Sequence, residues 1–139
     1  MAVSYEDLEL AFEFVGAAPM LEHQAYLCRE TGKIYYHSEL LDDIEELPDG
    51  LDDAAKYIAV PHKNDLDLGR RLVINFVSAN LPDDLNAVYD FFRRRGAYSR
   101  FKELLQRKGL LERWYEFEAK AQEKAIREWC EINGIEINR

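Results

Sequence analysis

The sequence predicts an α+β domain: a leading helix, a three-stranded antiparallel sheet and a C-terminal set of four helices. Three observations predict it. Apolar residues near the start recur at helical spacing behind a capping signal, the next segment alternates around a glycine turn, and from about residue 65 a helical period runs almost to the end with glycines as breaks. At 139 residues the chain is expected to form a single domain over residues 1–139. Hydrophobic residues at 47% and aromatics at 12% are too many for a disordered chain, and no apolar run reaches the roughly 20 residues of a membrane-spanning helix.

Each element has its own signal. Ser4 with Asp7 three residues on opens a capping box, and Leu8, Ala11, Phe12 and Val15 form one face until Gly16 and Pro19 end the pattern. "HQAYLCRETGKIYYHS" reads as a β-hairpin turning at Thr31-Gly32. A two-residue loop would put β-branched Thr31 at positive φ, whereas a three-residue loop needs only Gly32 there. The three-residue loop pairs Cys28 with Ile34 and Tyr26 with Tyr36 on the core face, which leaves Leu27, Tyr35 and His37 outside and makes Cys28 a small core residue. "KYIAV", ended by Pro61, is the third strand. Helices are expected over residues 65–80, 83–94, 97–108 and 110–133, with Gly96, Gly109 and Gly134 where C-terminal caps belong. The last carries a core stripe of Leu110, Trp114, Phe117, Ala121, Ala125 and Ile132.

The net charge of −9 hides a segregation. Residues 39–53 carry eight acids and no base, and residues 91–108 carry seven bases against one acid. The acidic stretch suits a solvated loop, so any contact with nucleic acid must rest on the basic one. The opening "MAVSYEDLEL" lacks the basic and apolar regions of a secretory signal, and Cys28 and Cys130 make no disulfide framework. A cytoplasmic protein with no membrane contact is expected.

Two candidate sites stand out. In "PHKNDLDLG", His62 has the chemistry of a general base or metal ligand, Lys63 that of a phosphate-holding electrophile, and Asp65 and Asp67 that of acid–base or metal-binding carboxylates. Helix-start chemistry accounts for the same residues: Asn64 caps, Asp67 takes the reciprocal position, and both carboxylates face the positive end of the helix dipole. The D-x-D-x-G spacing fails as an EF-hand, because counting from Asp65 places Arg70 where the loop glycine belongs and Phe76 where the last glutamate belongs. With scattered histidines, no structural metal and no cofactor are expected. The second candidate, "YDFFRRRGAYSRFKELLQRK", offers Arg93, Arg94, Arg95, Arg100 and Lys102 as ligand-binding cations and Tyr98 as a stacking ring. The alternative there is Phe91, Phe92, Phe101, Leu104 and Leu105 as core, with the arginines ending a helix and pairing with acids.

The segments "LELAFEFV", "ETGKIYY", "YIAVPHKNDLDLGRRLV", "FRRRGAYSRFKELL", "GLLERWYEFE" and "AIREWCEINGIE", in that order, resemble a family of small acidic bacterial proteins grouped as an uncharacterised protein family. The resemblance runs from about Leu8 to Glu136. It implies a bacterial cytosolic protein and brings no catalytic residue, cofactor or ligand. The leading expectation is therefore a non-enzymatic binding or regulatory protein using the basic–aromatic segment 93–102 with the neighbouring turn 61–64, its partner a nucleic acid or an acidic protein surface. The alternative is a hydrolase or other enzyme acting on a phosphate-containing substrate, with His62 as base.

Overall fold

A computed structural model describes residues 2–19, 22–39 and 45–138. The class is the expected one, with a leading helix, a three-stranded antiparallel sheet and helices through the C-terminal half. Contacts divide the chain into two units, Met1–Leu66 with Ala125–Arg139 and Asp67–Lys124, each with its own buried cluster. Of the acidic stretch, residues 40–44 lie outside the described residues.

In the first unit, Ser4 starts helix α1 (Tyr5–Gly16) by accepting the Asp7 N–H at 3.0 Å, and Leu8, Ala11, Phe12 and Val15 are buried as their spacing requires. Strands β2 (His23–Cys28), β3 (Ile34–Ser38) and β4 (Tyr57–Ala59) form the sheet, with β2 in the middle. The hairpin register differs from the expected one by a single residue: Leu27 faces Ile34, Tyr26 faces Tyr35 and Ala25 faces Tyr36. The loop is one residue longer than expected, closed by the Gly32 N–H on the Cys28 carbonyl at 2.9 Å and the Cys28 N–H on the Lys33 carbonyl at 2.8 Å. Gly32 still supplies the one positive φ of this turn, 78°. Because side chains alternate, the slip exchanges faces, and Ala25 and Leu27 enter the core with Ile34 and Tyr36 packed against them. Cys28, at the end of β2, is buried as expected. On the outer edge of β3, the Glu45 carboxylate accepts the Tyr36 N–H at 2.8 Å, where a further strand would otherwise pair.

Two strands escape the sequence reading. Within this unit β1 (Ala2–Ser4) runs parallel to β5 (Glu136–Asn138), Val3 opposite Ile137. Three residues are too few for a period of two to stand out.

The second unit holds α2 (Arg70–Asn80), α3 (Leu85–Phe91), α4 (Ala97–Arg107) and the beginning of α5 (Leu111–Ile132). No helix starts at Asn64. Residues Lys63–Leu66 make one 3-10 turn, Asp67 has φ 57°, and α2 begins only at Arg70 behind Gly69, so Asn64 caps nothing and Asp67 holds no reciprocal position. Aspartate enters this left-handed region more readily than most non-glycine residues. The helix expected over residues 83–94 is a 3-10 turn, Pro82–Asp84, followed by α3, which ends at Phe91. Gly96, φ 73°, stands before α4 instead of capping a longer α3. Gly109 and Gly134 do end helices, each left-handed, with the Leu110 N–H on the Leu105 carbonyl and the Ile135 N–H on the Cys130 carbonyl, both at 2.8 Å.

This unit's core centres on Trp114, which meets Phe76 and Phe101 edge-on at centroid separations of 5.3 and 5.0 Å. Leu110, Phe117 and Ala121 pack there as the expected stripe requires. Beyond them the stripe changes phase. Ile126 and Cys130 are buried in the first unit's core, whereas Ile132, expected inside, is 83% exposed. Leu27, fully buried between two strands, gives the observed register a stability test: Leu27→Ala is expected to cost about 2–5 kcal/mol in urea unfolding, against well under 1 for an outward side chain.

Candidate functional site

His62 is 6% exposed, one of few buried polar residues. Its Nε2–H donates to the Ala18 carbonyl at 2.9 Å, and its Nδ1 accepts the Asn64 N–H at 3.1 Å. Those bonds fix the tautomer and leave neither ring nitrogen to take a proton from a substrate. Asp65 accepts the His62 backbone N–H at 3.3 Å, so its carboxylate also serves the turn. The Lys63 stem lies along the end of α1, where a Cβ on Gly16 would stand 3.4 Å from its Cδ. Asp67, in the second unit, is exposed and 3.8 Å from Arg71.

Beside this turn is a cleft of about 220 Å³ lined by Val15, by His23 to Tyr26 of β2, and by Ala59 to His62 with Asp65. His23 donates Nδ1–H to the Phe14 carbonyl at 2.8 Å and stacks on the Phe14 ring at 4.3 Å. The Tyr26 hydroxyl donates to Gln24 at 3.1 Å, and burial, then the charge of Glu39, pushes its pKa above the usual phenol value. The cleft thus brings together His62 and Asp65 from the first candidate set and adds His23, which the sequence offered only as a strand residue. Among the described residues no three His, Cys, Asp or Glu side chains gather where an ion could be held.

The basic segment belongs to the second unit and the turn 61–64 to the first. Between α3 and α4, Arg93, Arg94 and Arg95 are exposed, and so are Arg100 and Lys102 on α4. Arg94 is paired with Asp90 at 3.3 Å, and the Lys102 ammonium lies 5.7 Å from the Tyr115 ring centroid. Arg93, Arg95 and Arg100 have no ion pair among the described residues. Phe101, Leu104 and Leu105 are core, as the structural alternative for this segment requires, and Phe91 and Phe92 pack against it. Tyr98 is 36% exposed and meets Phe92 edge-on at 5.4 Å; burial, then Glu118, raises its pKa.

Sequence reasoning missed two neighbours of this group. The Arg70 guanidinium lies 5.7 Å from the Tyr89 ring centroid and 5.5 Å from that of Phe92. Tyr89 and Phe92 are three apart on or next to α3 and so share a face, but nothing in the sequence ties Arg70 of α2 to them. The division of charge is also clearer by unit: the second has twelve Lys and Arg against nine Asp and Glu, a net +3, and the first has six against eighteen, a net −12.

If the His62 ring serves the backbone, His62→Ala should lose about 1–3 kcal/mol in urea unfolding by orphaning the Ala18 carbonyl and the Asn64 N–H. Asn64→Ala, exposed and capping nothing, should stay within about 0.5 kcal/mol. The two thiols should also part company. The Thr31 hydroxyl beside Cys28 draws its pKa below the ordinary thiol value, and burial pushes Cys130 up to about 11. Maleimide at neutral pH is therefore expected to label Cys28 before Cys130, as read by peptide mass mapping. No protein-family model, curated protein or solved structure matches the chain.

Proposed function

We propose that this chain is a non-enzymatic binding protein of the cytoplasm that holds a nucleic acid through phosphate contacts on the segment 93–102. One observation carries this reading: Arg93, Arg95 and Arg100 are exposed and unpaired among the described residues, in a unit of net charge +3. A guanidinium presents a planar fork of donors matched to phosphate oxygens, and its full charge is on offer only where no carboxylate holds it. Arg94, held by Asp90, and Lys102, near Tyr115, flank the free three. The phosphate-acting enzyme is the weaker reading, because both nitrogens of its base are engaged by backbone.

Fluorescence anisotropy with a labelled 12-nucleotide oligomer, titrated across salt concentrations, tests the proposal. Affinity should fall steeply with salt, and Arg93→Ala/Arg95→Ala/Arg100→Ala should weaken binding while flattening the log–log salt slope by about 2, three single-strand phosphate contacts at about 0.7 each. The triple variant should unfold like the parent, since all three side chains are exposed. Absence of oligonucleotide binding at about 0.15 M salt, with an acidic polypeptide bound instead, would overturn the nucleic-acid reading in favour of a protein partner.

A further inference from the structure

We infer that the bound nucleic acid is single-stranded, its bases stacking on Tyr89 and Tyr98 while Arg93, Arg95 and Arg100 hold its phosphates. The inference rests on the phosphate-binding reading of this segment and adds the form of the ligand. Its basis is a chain of ring and guanidinium contacts within the second unit. Arg70 lies over both Tyr89 and Phe92, at 5.7 and 5.5 Å, and Phe92 meets Tyr98 edge-on at 5.4 Å. The two ends of that chain, Tyr89 and Tyr98, are 37% and 36% exposed, whereas Phe92 between them is half-buried. Arg70 thus braces Tyr89 and Phe92 braces Tyr98, and both tyrosines are partly exposed. Partly exposed rings held by packing lose little side-chain freedom when a base settles on them.

Single strands are distinguished from duplexes by this chemistry. A duplex stacks its base faces on one another and offers phosphates, sugars and groove edges, for which arginines alone suffice. A single strand offers unstacked bases, which pair with aromatic faces regardless of sequence while cations follow the backbone. Neither tyrosine nor arginine reads the sugar in such a mode, so ribose and deoxyribose strands should bind alike.

The test compares a mixed-sequence 12-nucleotide RNA, the matching DNA and the duplex of each with its complement, by anisotropy on the full chain. Both single strands should bind within about threefold of each other and at least about tenfold more tightly than either duplex. Tyr89→Ala and Tyr98→Ala should each weaken single-strand binding about 5- to 100-fold without changing the salt slope, and Tyr89→Phe and Tyr98→Phe should retain most of it. Should an alanine variant lose its fold, photocrosslinking of the parent protein to a 4-thiouridine oligomer supplies the same answer, with adducts expected at Tyr89 or Tyr98. Equal binding of duplex and single strand, or wild-type affinity in folded alanine variants, would overturn the inference while a slope flattened by loss of the arginines left the phosphate reading standing. If no oligomer binds at all, both fall together.

Discussion

In the first unit Ala2–Ser4 runs parallel to Glu136–Asn138, and on this pairing of the two ends of the chain the rest of the architecture depends. A parallel pair needs a crossover connection, and here the crossover spans residues 5–135. Three ladder residues alone cannot offset that closure. The ladder is held by burial of Val3 and Ile135 among Leu8, Phe12, Leu27 and Ile126, at about 1.5–3 kcal/mol for each large side chain removed from water. Arg29 adds a second clasp, its Nε donating to the Ala54 carbonyl and its Nη1 to the Asn133 carbonyl, both at 3.0 Å. Because the cost of closing a loop grows only slowly with its length, residues 67–124 can be inserted between the two parts of one unit. They then need a core of their own, which Phe76, Phe101 and Trp114 provide.

Two of the three histidines, His23 and His62, find their roles at the end of α1. The last carbonyls of a helix have no intrahelical partner, and this helix has no basic residue in its last turn. Side chains from elsewhere fill the need. His23 donates to the Phe14 carbonyl, His62 donates to the Ala18 carbonyl just beyond the helix, and the Lys63 stem packs along Gly16. The turn after β4 is thus tied to the end of α1, and His62 and Asp65, two of the residues whose types suggest catalysis, are occupied in holding backbone. A buried imidazole with a donor and an acceptor on opposite sides is well suited to that work, since it satisfies one carbonyl and one N–H with a single ring.

Local signals in the sequence were legible where one short-range interaction decides the outcome. Ser4 and Asp7, Gly32, Pro61 and the glycines after α4 and α5 each act within five residues, and the structure places them as their chemistry requires. The hairpin register was not legible, because Gly32 satisfies a loop of three or four residues equally well and the choice falls to burial of Leu27 instead of Cys28 alone. Asp67 hid the break before α2, since an aspartate reads as helix-start chemistry until its φ is known. The stripe on α5 failed at Ile132 for another reason: its residues serve two cores in succession, so one continuous face was never required. Of the candidate interface, the arginines and Tyr98 were visible as a run, whereas Arg70 and Tyr89 join them only through the packing of α2 against α3.

The overall charge of −9 is a poor guide to what the arginines would meet. At physiological ionic strength charges more than about 8 Å apart are largely screened, so a strand in contact with Arg93, Arg95 and Arg100 responds chiefly to those side chains and their immediate neighbours. The near neighbours include Asp90, which is spent on Arg94, and Arg70, which adds a further cation over the rings. Lowering the salt changes the balance. Near 0.01 M the screening length approaches 30 Å, and a net charge of −9 then repels phosphate more strongly even as each arginine attracts it more strongly. The salt dependence of binding is the difference between these two responses, and it reports the arginine contacts most cleanly from about 0.1 M upward, where the long-range repulsion has been screened and the contact terms remain.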